Sequence, residues 1–117
     1  MGIERDAQRL ATILRVLADI ERRLQGMEFR AFSDDVDEID LTAYRLSVIG
    51  ENANWLSAAI KARHPSLPWK GMYGFRNLVS HEYAMVAPRF VWAATQELEP
   101  IRTMCREELA RLEHGGR

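Results

Sequence analysis

The stretch "LATILRVLADIERRLQG", Leu10 to Gly26, decides the fold class. Leu10, Ile13, Leu14, Leu17, Ile20 and Leu24 recur at steps of three and four residues, which gathers them on one side of an α-helix. The pattern predicts an amphipathic helix from about residue 4 to about residue 25, with Gly26 as its stop.

Working outward, the same period returns three times. After an acidic connection, Leu41, Val48, Ile49, Trp55, Leu56, Ala59 and Ile60 define a second helix, with Asp37 and Asp40 near its positive end. His64-Pro65 ends it, because a residue before proline is pushed out of the α region. "HPSLPW" reads as a loop, and Pro68 opens a shorter third helix through "WKGMYGFRNLVSHEYA", weakened by Gly71 and Gly74. A fourth starts near Pro88 and runs through "RFVWAATQELEPIRTMCREELARLE", where Pro100 predicts a kink around residues 96–100. With no strand, repeat or linker in view, the expectation is one all-α domain over residues 1–117, built like a four-helix bundle with a kinked last helix. Trp55, Trp69, Trp92, Phe75 and Phe90 are core or interface candidates, and packing outweighs a base-stacking reading of Trp69 or Tyr73.

The totals narrow the function classes. A chain of 117 residues with 47% apolar and 28% charged residues has globular composition, far from the signature of disorder. A net charge of -1 gives no overall attraction for nucleic acid or anionic membrane, so such binding must come from patches. Lys61, Arg63, Lys70, Arg76 and Arg89 against Glu82 leave residues 52–96 at +4. Arg30 and Arg45 against seven acids leave residues 28–51 at -5. The lone Cys105 cannot pair internally, which suits a reducing compartment, and cytoplasm is the default location. The longest uncharged run is the nine residues Asn52–Ile60, far below the roughly 20 that a membrane span needs. "MGIERDAQRL" has no apolar core of a secretory signal, and Asp6 stands where a myristoylation motif has Ser or Thr.

Four stretches could carry chemistry. In "DDVDEID", Asp35 and Asp37 have the spacing of a magnesium-binding pair, but no strand or Gly-Ser phosphate loop accompanies them. Helix N-terminal charge explains these acids better, and no metal site is assigned. Cys105, in "RTMCREE", lies far in sequence from any base and reads as a half-buried, inert thiol. In "ENAN", Glu51 and Asn52 could orient a basic side chain, or simply be surface polarity.

The fourth, "FRNLVSHEY" from Phe75 to Tyr83, is the richest. On an ideal helix Arg76 and His81 lie about 140° apart, whereas Asn77 and His81 share a face at i,i+4. A histidine that titrates near neutrality and a planar, permanently charged guanidinium suffice for metal-independent RNA cleavage, with the 2′-hydroxyl as nucleophile. In-line cleavage asks for an acid and a base on opposite sides of the phosphate, and a symmetric dimer would bring two copies of His81 to one cleft. A lone helical histidine is nonetheless most often a hydrogen-bonded structural residue, and that reading competes.

These residues carry a resemblance. Arg76-Asn77, three residues, then His81-Glu82-Tyr83, preceded by "HPSLPWKGMYGF" and by "VIGENA", resembles the HepT family of HEPN-domain ribonucleases across nearly the whole chain. "NANW" after Gly50-Glu51 and Ser80 depart from the family pattern, and neither touches the Arg, His or Tyr. The resemblance implies an all-helical homodimer acting as the toxin of a toxin-antitoxin pair, with RNA as substrate and the cleft at the dimer interface. It implies a nucleotidyltransferase antitoxin of the MntA type that silences the toxin by transferring AMP to Tyr83. Arg76 would stabilise the scissile phosphate, His81 would be the acid/base, and Asn77 would orient one or the other. Glu51 would support Arg76, while Lys70 and Arg89 belong to the basic stretch expected to track RNA. No cofactor is implied. The rival reading is a non-catalytic helical dimer that docks the nucleotidyltransferase or binds nucleotide.

Overall fold

The computed structural model describes residues 2–82 and 87–115, the side chains of residues 3, 77–82 and 115 excepted. The described residues form seven α-helices: α1 (Gly2–Leu24), α2 (Phe29–Ser33), α3 (Val36–Asn54), α4 (Ala58–Arg63), α5 (Trp69–Glu82), α6 (Pro88–Thr95) and α7 (Leu98–Gly115). No helix among the described residues is long and apolar enough to cross a membrane.

The stripe read on α1 is the spine of the core. Leu10, Ile13, Leu17 and Ile20 are buried, with Val16 beside them. Gly26 stops the helix in the left-handed conformation, φ 77°, which a residue without a Cβ adopts at no steric cost. Ile39, Ala43, Leu46, Ile49 and Ala53 of α3 meet that stripe, and Ile101, Met104 and Cys105 of α7 close the other side of the same apolar cluster. Helix α3 is the hub, packed against both α1 and α5.

Three expected boundaries are drawn differently, each for a local reason. The acidic connection contains the single-turn α2, whose Phe32 is buried against the Trp92 ring, 5.0 Å between centroids. The predicted second helix is two, because the chain turns at Trp55–Ser57. Its broken end is held by polar groups: Lys61 Nζ donates to the Asn54 carbonyl at 2.6 Å, and the Ser57 N–H donates to Asp6 on α1 at 3.1 Å. The last helix does break near residue 96, but Pro100 is not the interior lesion. Pro100 occupies the first turn of α7, where a backbone N–H has no helical partner to lose, and Pro88 likewise opens α6.

Of the core and interface readings of Trp55 the core one fails: Trp55 is 60% exposed at the C-cap of α3, with the Arg9 guanidinium 5.8 Å from its ring centroid. Phe90 is also exposed, stacked on the buried Phe75 at 5.3 Å.

Candidate functional site

The site is built where α5 crosses α3, and Gly50 permits the crossing. A Cβ added at Gly50 would lie 2.2 Å from the Met72 carbonyl oxygen and 3.6 Å from Arg76 Cβ. Only a residue without a side chain lets the two backbones come this close. The next residue on α3 is Glu51, and the close approach brings it within reach of α5. Arg76 Nε donates to Glu51 Oε1 at 3.2 Å.

Arg76 is thereby oriented without being buried. Its side chain is 32% exposed and that of Glu51 48%. The guanidinium also stands 5.8 Å from the Tyr73 ring centroid, one helical turn back, in cation–π range. A planar fork held at one nitrogen by a carboxylate and steadied by an aromatic face is suited to a phosphate group.

Helix α5 is itself anchored at its start. The Trp69 indole N–H donates to the His64 carbonyl at 2.9 Å, and the Met72 N–H donates to the Pro68 carbonyl at 2.9 Å. His64 in turn belongs to a polar cluster centred on Glu108 of α7, which is 1% exposed. Arg63 donates to both carboxylate oxygens, at 3.0 and 2.7 Å, and His64 Nε2 lies 2.7 Å from Oε2. The Arg63 hydrogen bonds hold the Glu108 carboxyl below the usual glutamate range, against burial, which pushes the other way. The sequence reading assigned His64 only the end of a helix and overlooked this cluster. A signal was present: Ile101, Met104, Cys105 and Glu108 share one helical face, and a carboxylate among core positions requires partners.

The remaining sequence candidates fall as follows. The backbones of Asn77 and His81 continue α5, which runs unbroken to Glu82, so positions 76 and 81 sit about 140° apart around its axis. The side chains of Asn77 and His81, and the whole of Tyr83, lie outside the described residues. Lys70 is exposed in the first turn of α5, and Arg89 is exposed in the first turn of α6. Arg63, counted into the basic stretch, is committed to Glu108.

Asp35 is the N-cap of α3, its carboxylate accepting from the Glu38 N–H at 3.1 Å, while Asp37 lies exposed in the first turn. Those are the roles helix capping and the helix dipole give to acids. Cys105 is more buried than expected, wholly enclosed in the core, and burial pushes its thiol up to about 12. A thiol so placed stays protonated and unreactive near neutral pH.

The model of the family described as "Ribonuclease HepT-like" matches residues 13–108, a span that includes both Arg–Glu pairs. The chain is similar to "Putative RNase TTE0752" of Caldanaerobacter subterraneus subsp. tengcongensis, with 30% identity over 83 residues, 71% of this chain and 74% of that protein. It is also similar to "Putative RNase MJ1380" of Methanocaldococcus jannaschii, with 31% identity over 55 residues, 47% of this chain and 50% of that protein. No solved structure matches the chain significantly.

Proposed function

The chain belongs to the HepT-like ribonuclease family, and from that premise we propose that it is a metal-independent endoribonuclease of the HEPN type whose centre is Arg76 with His81. The observation that carries the reading is the Arg76 guanidinium, oriented by Glu51 and Tyr73 yet open to solvent, on the helix that continues to His81.

In this mechanism His81 takes the proton from an RNA 2′-hydroxyl, whose oxygen attacks the adjacent phosphorus. The bond from phosphorus to the 5′-oxygen breaks, the departing oxygen gains a proton, and a 2′,3′-cyclic phosphate remains. Arg76 stabilises the charge that develops on the non-bridging oxygens. Asn77, one turn before His81, orients the imidazole or the phosphate. Positions 76 and 81 lie about 140° apart around one helix, so they converge on one phosphate only through a long side chain, a helix end or a second copy of the chain. A symmetric homodimer supplies the second His81 as the acid from across the cleft. Lys70 and Arg89 add positive charge for the RNA backbone.

The biological role that fits is the toxin of a toxin-antitoxin pair acting in the cytoplasm, with an MntA-type nucleotidyltransferase as antitoxin. AMP on Tyr83, two residues from His81, would place bulk and negative charge where RNA must enter.

The test is cleavage of RNA by the purified, unmodified protein in EDTA. Wild type should yield cyclic-phosphate ends. Arg76→Ala should lose about 100-fold or more, and His81→Ala about 100- to 10,000-fold, with fold and dimer retained. Equal inertness of all three toward cellular RNA would leave a docking module for the nucleotidyltransferase as the better reading. Tyr83→Phe should cleave like wild type and escape silencing by the antitoxin; full silencing would remove Tyr83 as the acceptor.

A further inference from the structure

We propose that Trp55 and Arg9 form a stacking subsite for an unpaired base of single-stranded RNA, next to the Arg76 centre; this rests on the ribonuclease reading above. Trp55 is the C-cap of α3 and lies one helical turn beyond Glu51, on the same side of that helix. Glu51 accepts from Arg76 Nε, so α3 carries both the indole and the carboxylate that orients the guanidinium.

The indole is 60% exposed, which is unusual for the largest apolar side chain and leaves it available to a second π-surface. The Arg9 guanidinium stands 5.8 Å from the ring centroid, an arrangement that holds the ring and places a positive charge beside it. A second cation is adjacent, since Lys61 Nζ donates to the carbonyl of Asn54, the residue before Trp55. An exposed indole with Arg9 against its ring and Lys61 at the preceding carbonyl suits a polyanion with stackable bases, and Asp6 at the same turn is buried and engaged by the Ser57 N–H. It is poorly matched to a second copy of the same patch, where Arg9 and Lys61 would meet their own like charges. The subsite selects unpaired RNA, because a base must leave its stack to lie on the ring. It does not discriminate strongly among bases, since each has a π-face.

The experiment separates binding from cleavage. A fluorescein-labelled 10-mer with 2′-O-methyl sugars throughout has no nucleophilic hydroxyl, so anisotropy reads affinity whether or not the protein cuts RNA. Trp55→Ala should weaken binding roughly 5- to 100-fold, Trp55→Phe should retain most of it, and a duplex of the same sequence should not distinguish the three proteins. The salt dependence should be unchanged in Trp55→Ala and shallower in Arg9→Gln, because only the latter removes a charge. Sedimentation should give Trp55→Ala the oligomeric state of wild type. The subsite is overturned if Trp55→Ala binds the 10-mer like wild type, if wild type does not bind it, or if the substitution changes the oligomeric state, which would assign the ring to a contact between copies. Tight, Trp55-dependent binding by a protein that fails to cleave unmodified RNA would overturn the nuclease reading and leave the subsite standing.

Discussion

Among the arginine–glutamate pairs that tie helices together, Arg63–Glu108 and Arg76–Glu51 behave as different objects. Glu108 of α7 is 1% exposed and accepts from Arg63 through both oxygens and from His64 at 2.7 Å, with Arg111 Nε a further 3.5 Å away. Glu51 of α3 is 48% exposed and accepts from Arg76 Nε at 3.2 Å. The first carboxylate is enclosed by its partners and fastens α7 to the loop that launches α5. The second is half exposed, and it holds a guanidinium that is itself partly exposed. Burial of the acid, not the identity of the two residues, separates a structural anchor from a candidate site.

Glu108→Gln should give the largest effect on stability. It deprives a buried cluster of its charge and leaves Arg63 without its counterion. The expected loss is about 2–3 kcal/mol in urea unfolding, the lower part of the range for breaking a buried pair because Arg63 is partly solvated. The pH dependence follows from the same contact. Glu108 has its folded pKa depressed by Arg63, so the stability it contributes is present above the unfolded glutamate pKa and is lost as pH falls below about 4 through the folded value. Wild type should therefore lose stability more steeply in acid than Glu108→Gln; parallel profiles would remove Glu108 from the role of anchor.

Gly50→Ala comes next. The new Cβ would sit 2.2 Å from a backbone oxygen of α5, which no side-chain rotation relieves, so α3 and α5 must move apart. The expected loss is about 1–3 kcal/mol. Cleavage should fall as well, since the same displacement carries Arg76 away from Glu51. Loss of stability with cleavage intact would show that the crossing does not set the position of Arg76.

Glu51→Gln should be the mildest for the fold, within about 0.5 kcal/mol of wild type, because both partners are solvated. It should still slow cleavage several-fold through a less well-oriented Arg76, and a rate equal to wild type would show that Glu51 does not position Arg76.

The sequence was most legible where a single period governs. The α1 stripe, the Gly26 stop and the Pro-initiated helices were all visible in residue types and spacing. The turn at Trp55–Ser57 was less so, because its stability comes from Asp6, 51 positions before the Ser57 N–H it accepts. Hydrophobicity alone left Trp55 a core or interface candidate, and the break in the helix places it at the surface. At the site, "GENA" and "FRNLVSHEY" flagged Glu51 and Arg76 separately, but their contact depends on the closeness that Gly50 allows. For the Glu108 cluster the local pattern on α7 marks a carboxylate on the core face, but its partner Arg63 lies 45 positions away, where no local pattern points.

The most direct test of the division between anchor and site compares Arg76→Gln with Arg63→Gln, measuring thermal stability and RNA cleavage per folded molecule for each. The account predicts that Arg76→Gln melts like wild type and loses about 100-fold or more in cleavage, whereas Arg63→Gln melts lower and its folded fraction cuts at the wild-type rate. Wild-type cleavage by Arg76→Gln, or loss of cleavage by folded Arg63→Gln, would contradict it.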